Sequence, residues 1–547
     1  MIKKLVNNKI LNSKPTESIT AAAFIIAVSG FASRFLGLFR DRILASQFGA
    51  GDTLDAYYAA FRIPDLLYNL LILGALSAAF IPVFTGLISN KKEEEGWELV
   101  SGILNIMVFV LIIVAAILAI FAPFIVHLIT PGFSGEKMEL TIMLTRIMFL
   151  SPVLLGISAI FGGVLVSLKK FLIYSIAPIM YNIGIIIGAL FFVKLMGPKG
   201  LAVGVILGAL LHMLIQYPAV KFSGFKFKPI LFGAFRNENV RKIIRLMIPR
   251  TMGIAVSQIN LLVITIFAST LASGSLAVFN FANNIQSFPL GLFGVSFAVA
   301  VFPTLSATYA KGLHDEFIKN FSQTFRRILF FIIPLSVLIL LLRAQLVRVI
   351  LGGGQFNWED TVMTFETLGF LTVSLFAQCL IPLLARAFYA IHNTKIPFYI
   401  ALVSEAVNII LVILLIKNYA VSGLAIAFSA ASILNMVLLF VILRKKLGGL
   451  DGKNIFSSTS KILLASTIAG LITQIMKYAI DRIANIDTFL GIFFQLIISG
   501  GLGIIVFVFM SWVFKTPEFF HFKNSIVKRF YRTKGTINEI TEETDGM

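Results

Sequence analysis

Apolar residues in this chain come in long unbroken stretches. Runs of 18 or more recur from near Ile19 to near Phe514, and about 20 helical residues cross the ~30 Å hydrocarbon core of a bilayer. A membrane β-barrel would instead show short strands of alternating polarity, whereas runs such as Ile103 to Ile129 are continuous. Helices are the remaining way to satisfy the backbone in lipid. The pattern predicts an all-α integral membrane protein of about fourteen transmembrane helices.

The runs repeat. GLAVGVILGALLHM from Gly200 matches GLAIAFSAASILNM from Gly423, Tyr181-Asn182-Ile183 pairs with Val407-Asn408-Ile409, and AAFIPVFTGL around Pro82 pairs with AVAVFPTLSA around Pro303. Three matches in the same order, offset by roughly 220 to 226 residues, predict two six-helix bundles. An even helix number gives both halves the same orientation, related by a pseudo-twofold along the membrane normal with a site between them. The expected organisation is a cytoplasmic surface segment over 1–18, an N-lobe over 19–222, a basic linker over 223–245, a C-lobe over 246–446, a C-terminal helix pair over 455–514 and a basic then acidic tail over 515–547. The opening MIKKLVNNKILNSKPTE has the basic start of a signal peptide, but the long apolar run begins only after it, so an uncleaved segment is expected.

Composition agrees with lipid: 58% of the 547 residues are hydrophobic and 13% charged, against about a quarter charged in soluble domains. The net charge of +20 sits between spans rather than on a soluble domain with aromatic platforms, which argues against nucleic acid and for a positive-inside pattern. The clusters at Lys91-Lys92, Lys169-Lys170, Lys221 to Arg245, Lys311 to Arg327, Arg444 to Lys461 and Lys515 to Lys534 fall on the side of the amino terminus, so both termini are expected in the cytoplasm. The single cysteine, Cys379, excludes an internal disulfide framework.

Charges inside spans are costly, about 2.5 to 3.5 kcal/mol near the bilayer centre on insertion scales, and the first two spans hold several. Arg34, Arg40, Asp41 and Arg42 lie in SGFASRFLGLFRDRILASQFG, where Arg34 and Asp41 share a helix face. Asp55 and Arg62 repeat that spacing in GDTLDAYYAAFRIPDLLYN. Asp52 and Asp55 also suit an N-cap and an N3 acid, and Arg42 and Asp65 suit interfacial snorkelling. Arg34, some fifteen residues into its span, points to a cavity role. Arg250 and Arg386 lie nearer cytoplasmic ends. Arginines outnumber acids at these positions, which suits an anionic substrate such as a diphosphate. Pro64, Gly74, Pro289 and Gly294 punctuate corresponding helices and permit bending or close packing. Glu405, one turn from Asn408, could bind a cation that couples transport or pair with a basic neighbour. His127, His212, His314, His392 and His521 make no metal spacing, and no GxxxxGK[ST] run is present, so no metal, cofactor or ATPase activity is expected. No nucleophile–base constellation suggests an enzyme.

SRFLGLFRDRILASQFGAGDTLDAYYAAFRIPDLL, from Ser33 to Leu67, resembles the signature of the MurJ (MviN) lipid II flippases of the multidrug/oligosaccharidyl-lipid/polysaccharide exporter superfamily. The resemblance continues through GALSAAFIPVF, FPLGLFGVSFAVAVFPTLS from Phe288 and ARAFYAIHNTKIP from Ala385, to about Arg444. It implies two six-helix lobes, a cationic cavity opening alternately to either side, and a final helix pair whose groove receives the lipid tail. Arg34, Arg40 and Asp41 match the family's first-span cavity charges, Asp55 its second-span acid and Arg62 a basic position. The implied activity is transfer of lipid II, or a similar polyprenyl-diphosphate lipid, across the bacterial cytoplasmic membrane, coupled to membrane potential or a monovalent cation. Cell-wall synthesis proteins are partners to test, and a monomer with both lobes could suffice.

The chain departs from the family at Tyr68 and Asn69, where many members have arginine, at Leu73, which replaces an acid, and at Asn284, which replaces a frequent arginine. Arg62, Arg250 or Arg386 would then supply the charge, or the substrate differs. The other readings are a flippase for another polyprenyl-linked oligosaccharide, a drug exporter of the same superfamily, for which acids rather than arginines would be needed, and a non-transporting membrane scaffold.

Overall fold

The computed structural model describes residues 19–70, 80–229, 237–483, 485 and 488–524. The expected surface segment 1–18, Gly74, Leu73, part of the linker and the tail beyond 524 lie outside them. The described residues are overwhelmingly helical, and their one β-feature is an isolated bridge between Gly353 and Phe356. Nine helical segments among them are long and apolar enough to cross a membrane, or ten if a pair bent by 44° near Ser374 counts as one span. Lys395–Leu447 is itself interrupted at Ala420, whose φ of 45° and ψ of −128° end one helix and start another. With the charged first helices added, the arrangement is consistent with the expected fourteen.

Contacts divide the chain into two units. This division follows packing rather than the internal repeat, whose boundaries stand as expectations. Unit 1 comprises 1–284, 350–364 and 409–424. Its helices include α1 (Ile19–Phe48), α2 (Asp52–Tyr68), α3 (Ile81–Ser89), α4 (Glu93–Ile120), α5 (Ala122–Ile129), α6 (Gly135–Met148), α7 (Leu150–Ser167), α8 (Phe171–Ile187), α9 (Val193–Met196), α10 (Lys199–Phe222) and α11 (Glu238–Ser269). The last already begins within the stretch read as linker. An aromatic and aliphatic core around Phe80, Phe84, Leu99, Phe161 and Phe225 joins α3, α4, α7 and the strap after α10, and burial of this kind contributes about 25 cal/mol per Å² of apolar surface.

Unit 2 comprises 285–349, 365–408 and 425–547. The remaining helices are α12 (Ser275–Pro289), whose last five residues belong to this unit, and α13 (Ser296–Ala310), α14 (His314–Leu351), α15 (Trp358–Val373), α16 (Leu375–Ala390), α17 (Lys395–Leu447), α18 (Gly452–Asp481) and α19 (Phe489–Val513), which lie mostly or wholly in it. The last two residues of α14, the first seven of α15 and the middle of α17, 409–424, belong to unit 1. Pro289 closes α12 and a π-helical segment, Leu290–Val295, follows it. The missing N–H of a proline and the wider π turn are recognised sources of helix bending. Gly294, inside that segment, is buried against Cys379, and a Cβ there would meet the Cys379 Cα at 2.8 Å.

Unit 2 contains an apolar cavity of about 680 Å³ walled by α14, α16, α17 and α18, with Leu329, Val337, Phe376, Leu380 and Phe456 among its lining. Arg444, Gly452 and Ile455 also contribute to its lining. Glu518, buried, accepts hydrogen bonds from Arg326 Nη1 and Ser458 Oγ, each at 2.7 Å, and so fastens the segment after α19 to α14 and α18.

Candidate functional site

The charged residues of the first two helices collect inside unit 1. Asp41 on α1 is 2% exposed at its side chain, and a carboxylate so buried needs donors. Arg40, its chain neighbour, bends back to give two of them, from Nε at 3.0 Å and Nη2 at 2.7 Å to Oδ1. Asn284 on α12 gives a third, Nδ2 to Oδ2 at 2.8 Å. The Nη1 group of Arg40 donates to Asn182 Oδ1 on α8 at 3.2 Å, while the Asn182 amide nitrogen donates to Pro178 O at 3.1 Å. A 100° helical offset separates adjacent residues, yet the length of arginine overcomes it. The shared face of Arg34 and Asp41 is therefore divided in environment: Asp41 is buried and Arg34 is exposed.

Arg62 on α2 is oriented from two other helices. Its Nε donates to Thr265 Oγ1 on α11 at 2.7 Å, and its Nη2 donates to Asn280 Oδ1 on α12 at 2.9 Å. Asn280 is itself fixed by its Nδ2 donating to Leu276 O at 2.6 Å. These acceptors are neutral, so the positive charge of Arg62 is held in a set direction without being cancelled by a hydrogen-bonded carboxylate. Pro64, inside α2 and buried, removes a backbone donor one turn from the site.

Asp55 has a different character. It is 1% exposed, and its carboxylate accepts from Lys137 Nζ at 2.7 Å, Gly274 N at 2.8 Å and Ala277 N at 2.9 Å. It thus caps the amino terminus of α12 from another helix, where the helix dipole favours an anion. Asp52 also meets Lys137, at 2.7 Å, and accepts from Ser273 Oγ at 2.7 Å. Neither acid caps its own helix: the N-cap of α2 is Gly51. Gly274, with φ +86°, has no room for a side chain, because a Cβ would overlap the Ala50 carbonyl. Nearby, Asp360 accepts from Ala50 N at 3.1 Å and Gln355 N donates to Ser46 O at 2.8 Å. The ends of α1, α2, α6, α11, α12 and α15 are bound together by this network.

The remaining candidates stand apart. Arg250 lies on α11 with its side chain outside the described part. Arg386, in unit 2, is half-buried and donates to Pro382 O of its own helix at 3.2 Å. Glu405, also in unit 2, accepts from Asn408 Nδ2 at 3.4 Å. Sequence reasoning missed Lys137, Thr265 and Asn280, which lie 82 to 218 positions from the residues they serve. Asn182 was visible only as part of the repeat. Asp65, read as interfacial, is half-buried in the last turn of α2.

A family model described as lipid II flippase MurJ matches residues 44–494. The chain belongs to this family. It is 30% identical over 492 residues to a probable lipid II flippase MurJ of Buchnera aphidicola subsp. Acyrthosiphon pisum, covering 89% of this chain and 95% of that one. It is 31% identical over 436 residues to the corresponding Vibrio cholerae protein, covering 78% and 83%. Among solved structures, one described as lipid II flippase MurJ in an inward closed conformation superposes with a TM-score of 0.74 at 27% identity, over 90% of this chain and 98% of that one. An inward-facing multidrug resistance transporter of the MATE family superposes with a TM-score of 0.64 at 16% identity, over 77% and 96%. That second likeness is one of fold. The family and the many apolar helices make this a multi-pass membrane protein.

Proposed function

We propose that the protein is a lipid II flippase, carrying the undecaprenyl-diphosphate-linked peptidoglycan precursor from the cytoplasmic to the outer leaflet by alternating access. The observation that carries the reading at the level of chemistry is Arg62, a guanidinium aimed by neutral partners on two further helices with no carboxylate hydrogen-bonded to it. Arg40 adds a second guanidinium, although Asp41 already takes two of its donors. Asn182, Asn280 and Asn284 offer neutral hydrogen bonding for sugars and peptide. The apolar cavity of unit 2 has the chemistry to take a polyprenyl chain, with Arg444 in its lining.

With both termini in the cytoplasm, the network of Asp55, Lys137, Gly274 and Asp360 lies at the outer end of unit 1, where it keeps that end shut. Release to the outer leaflet requires those contacts to part. Expression in a bacterium depleted of its own MurJ tests the function: the wild type restores growth, whereas Arg62→Ala and Arg34→Ala at equal membrane levels do not. A wild-type chain that is correctly inserted and fails to rescue refutes lipid II as its substrate. Rescue by Arg34→Ala removes Arg34 from the mechanism.

A further inference from the structure

Four carboxylates stand on α1 and α2, and three of them are engaged. Asp41 is held by Arg40 and Asn284, Asp52 by Lys137 and Ser273, and Asp55 by Lys137 and two backbone amides. Asp65 is the exception. Among the described residues its side chain accepts no hydrogen bond and forms no ion pair, although it is half-buried within a membrane span. Arg62, one helical turn away on the same face, directs its guanidinium to Thr265 and Asn280 instead. The charged and titratable groups within electrostatic reach of Asp65 are Arg62, Arg40, Tyr57, Tyr68 and Tyr181. They come from α1, α2 and α8; Arg40 among them is already engaged by Asp41, which leaves Asp65 as the acid of this cluster without a hydrogen-bonded partner. An intramembrane carboxylate with no donor is a functional-site candidate by default.

We propose that Asp65 is the binding site of a monovalent cation, H⁺ or Na⁺, and that filling it makes Arg62 available to the phosphate of the substrate. With Asp65 ionised, its charge offsets that of Arg62, and an incoming phosphate meets a carboxylate one turn from its guanidinium. With the cation bound, the local charge becomes net positive and the phosphate is attracted. Cation and phosphate then bind cooperatively, each raising the affinity of the other by the same factor. Tyr57, Tyr68 and Tyr181 carry hydroxyls that can supply further oxygen ligands or hydrogen bonds when the site is filled. The phosphate half of this proposal rests on the function proposed above; the cation half does not.

The test uses the full chain in lipid nanodiscs. Without any substrate, Na⁺ is titrated at fixed pH in a choline background, and separately pH is lowered without Na⁺, while thermal stability and tyrosine fluorescence are followed. One of the two cations should give a saturable response that Asp65→Asn abolishes, Asp65→Glu retains and Glu405→Gln leaves intact. The arm that responds identifies the cation. Farnesyl diphosphate is then titrated as the phosphate probe: wild-type affinity should rise about tenfold or more as the site fills, whereas Asp65→Asn should bind at the high-affinity level throughout. A response that survives in folded Asp65→Asn, that follows Glu405 instead, or that is missing for both cations in the wild type overturns the site. A cation response at Asp65 without diphosphate binding leaves the site standing and overturns its coupling to phosphate, together with the reading of Arg62.

Discussion

Unit 1 and unit 2 solve opposite problems in the same lipid. Unit 1 buries ions and has to give each one partners. Asp41 and Asp55 are nearly inaccessible, and each accepts three hydrogen bonds. Unit 2 instead keeps an apolar volume of about 680 Å³ unfilled, where close packing would ordinarily have placed side chains. The contrast teaches how one chain can serve an amphiphile. Fixed guanidiniums suit a phosphorylated head that would otherwise be desolvated at great cost, and an apolar cavity suits a chain that water would expel.

The sharpest way to break the comparison is to unbalance a buried charge in unit 1. Asp55→Ala leaves two amide donors at the start of α12 without their acceptor and Lys137 with only the exposed Asp52 as an ionic partner, and removal of one partner from a buried pair costs about 3 to 5 kcal/mol. Thermal unfolding of the purified protein should show the largest loss of stability for this variant. A Tm near that of the wild type would mean that this end of unit 1 is held by other contacts. Among the described residues unit 2 has one comparable pair, and Glu518→Ala takes from Arg326 the carboxylate it pairs with in a largely buried position. The expected cost is smaller, about 2 to 3 kcal/mol, because no helix amino terminus loses its capping acceptor with it. Protease sensitivity of the segment after Val513 should rise with it.

The smallest stability effect is expected in the cavity itself. Val437 is 43% exposed and lines it, so Val437→Trp adds bulk to open space and should shift stability by no more than about 0.5 kcal/mol. Its effect should be confined to lipid capture, measured as weakened binding of a long-chain polyprenyl diphosphate with farnesyl diphosphate binding unchanged. Equal weakening of both would place the phosphate, not the chain, in this part of unit 2.

Pairing, rather than position along the chain, separated the residues that sequence reasoning could interpret from those that it could not. Arg62 could be recognised as a costly charge, but its aim depends on Thr265 and Asn280, far away in the chain. Asp55 carried two local roles on paper, an N3 acid or a cavity acid. Its actual partners are Lys137 and the amino terminus of a different helix, a third possibility that no local pattern contains. Asp65 illustrates the converse: a proline-flanked acid late in a span has the look of an interfacial residue, and only the direction taken by Arg62 leaves it unpaired.

The amino-acid sequence alone determined that the chain lives in lipid as helices, that costly charges gather on its first two spans, and which family it resembles. Those properties follow from hydrophobic run length, the price of intramembrane charge and local motif, all of which are written in neighbouring residues. Tertiary structure alone decided which charges neutralise one another, which guanidinium stays available and where apolar space is left open. Each of these depends on donors and walls supplied by helices up to hundreds of residues apart, brought within 3 Å only when the chain folds.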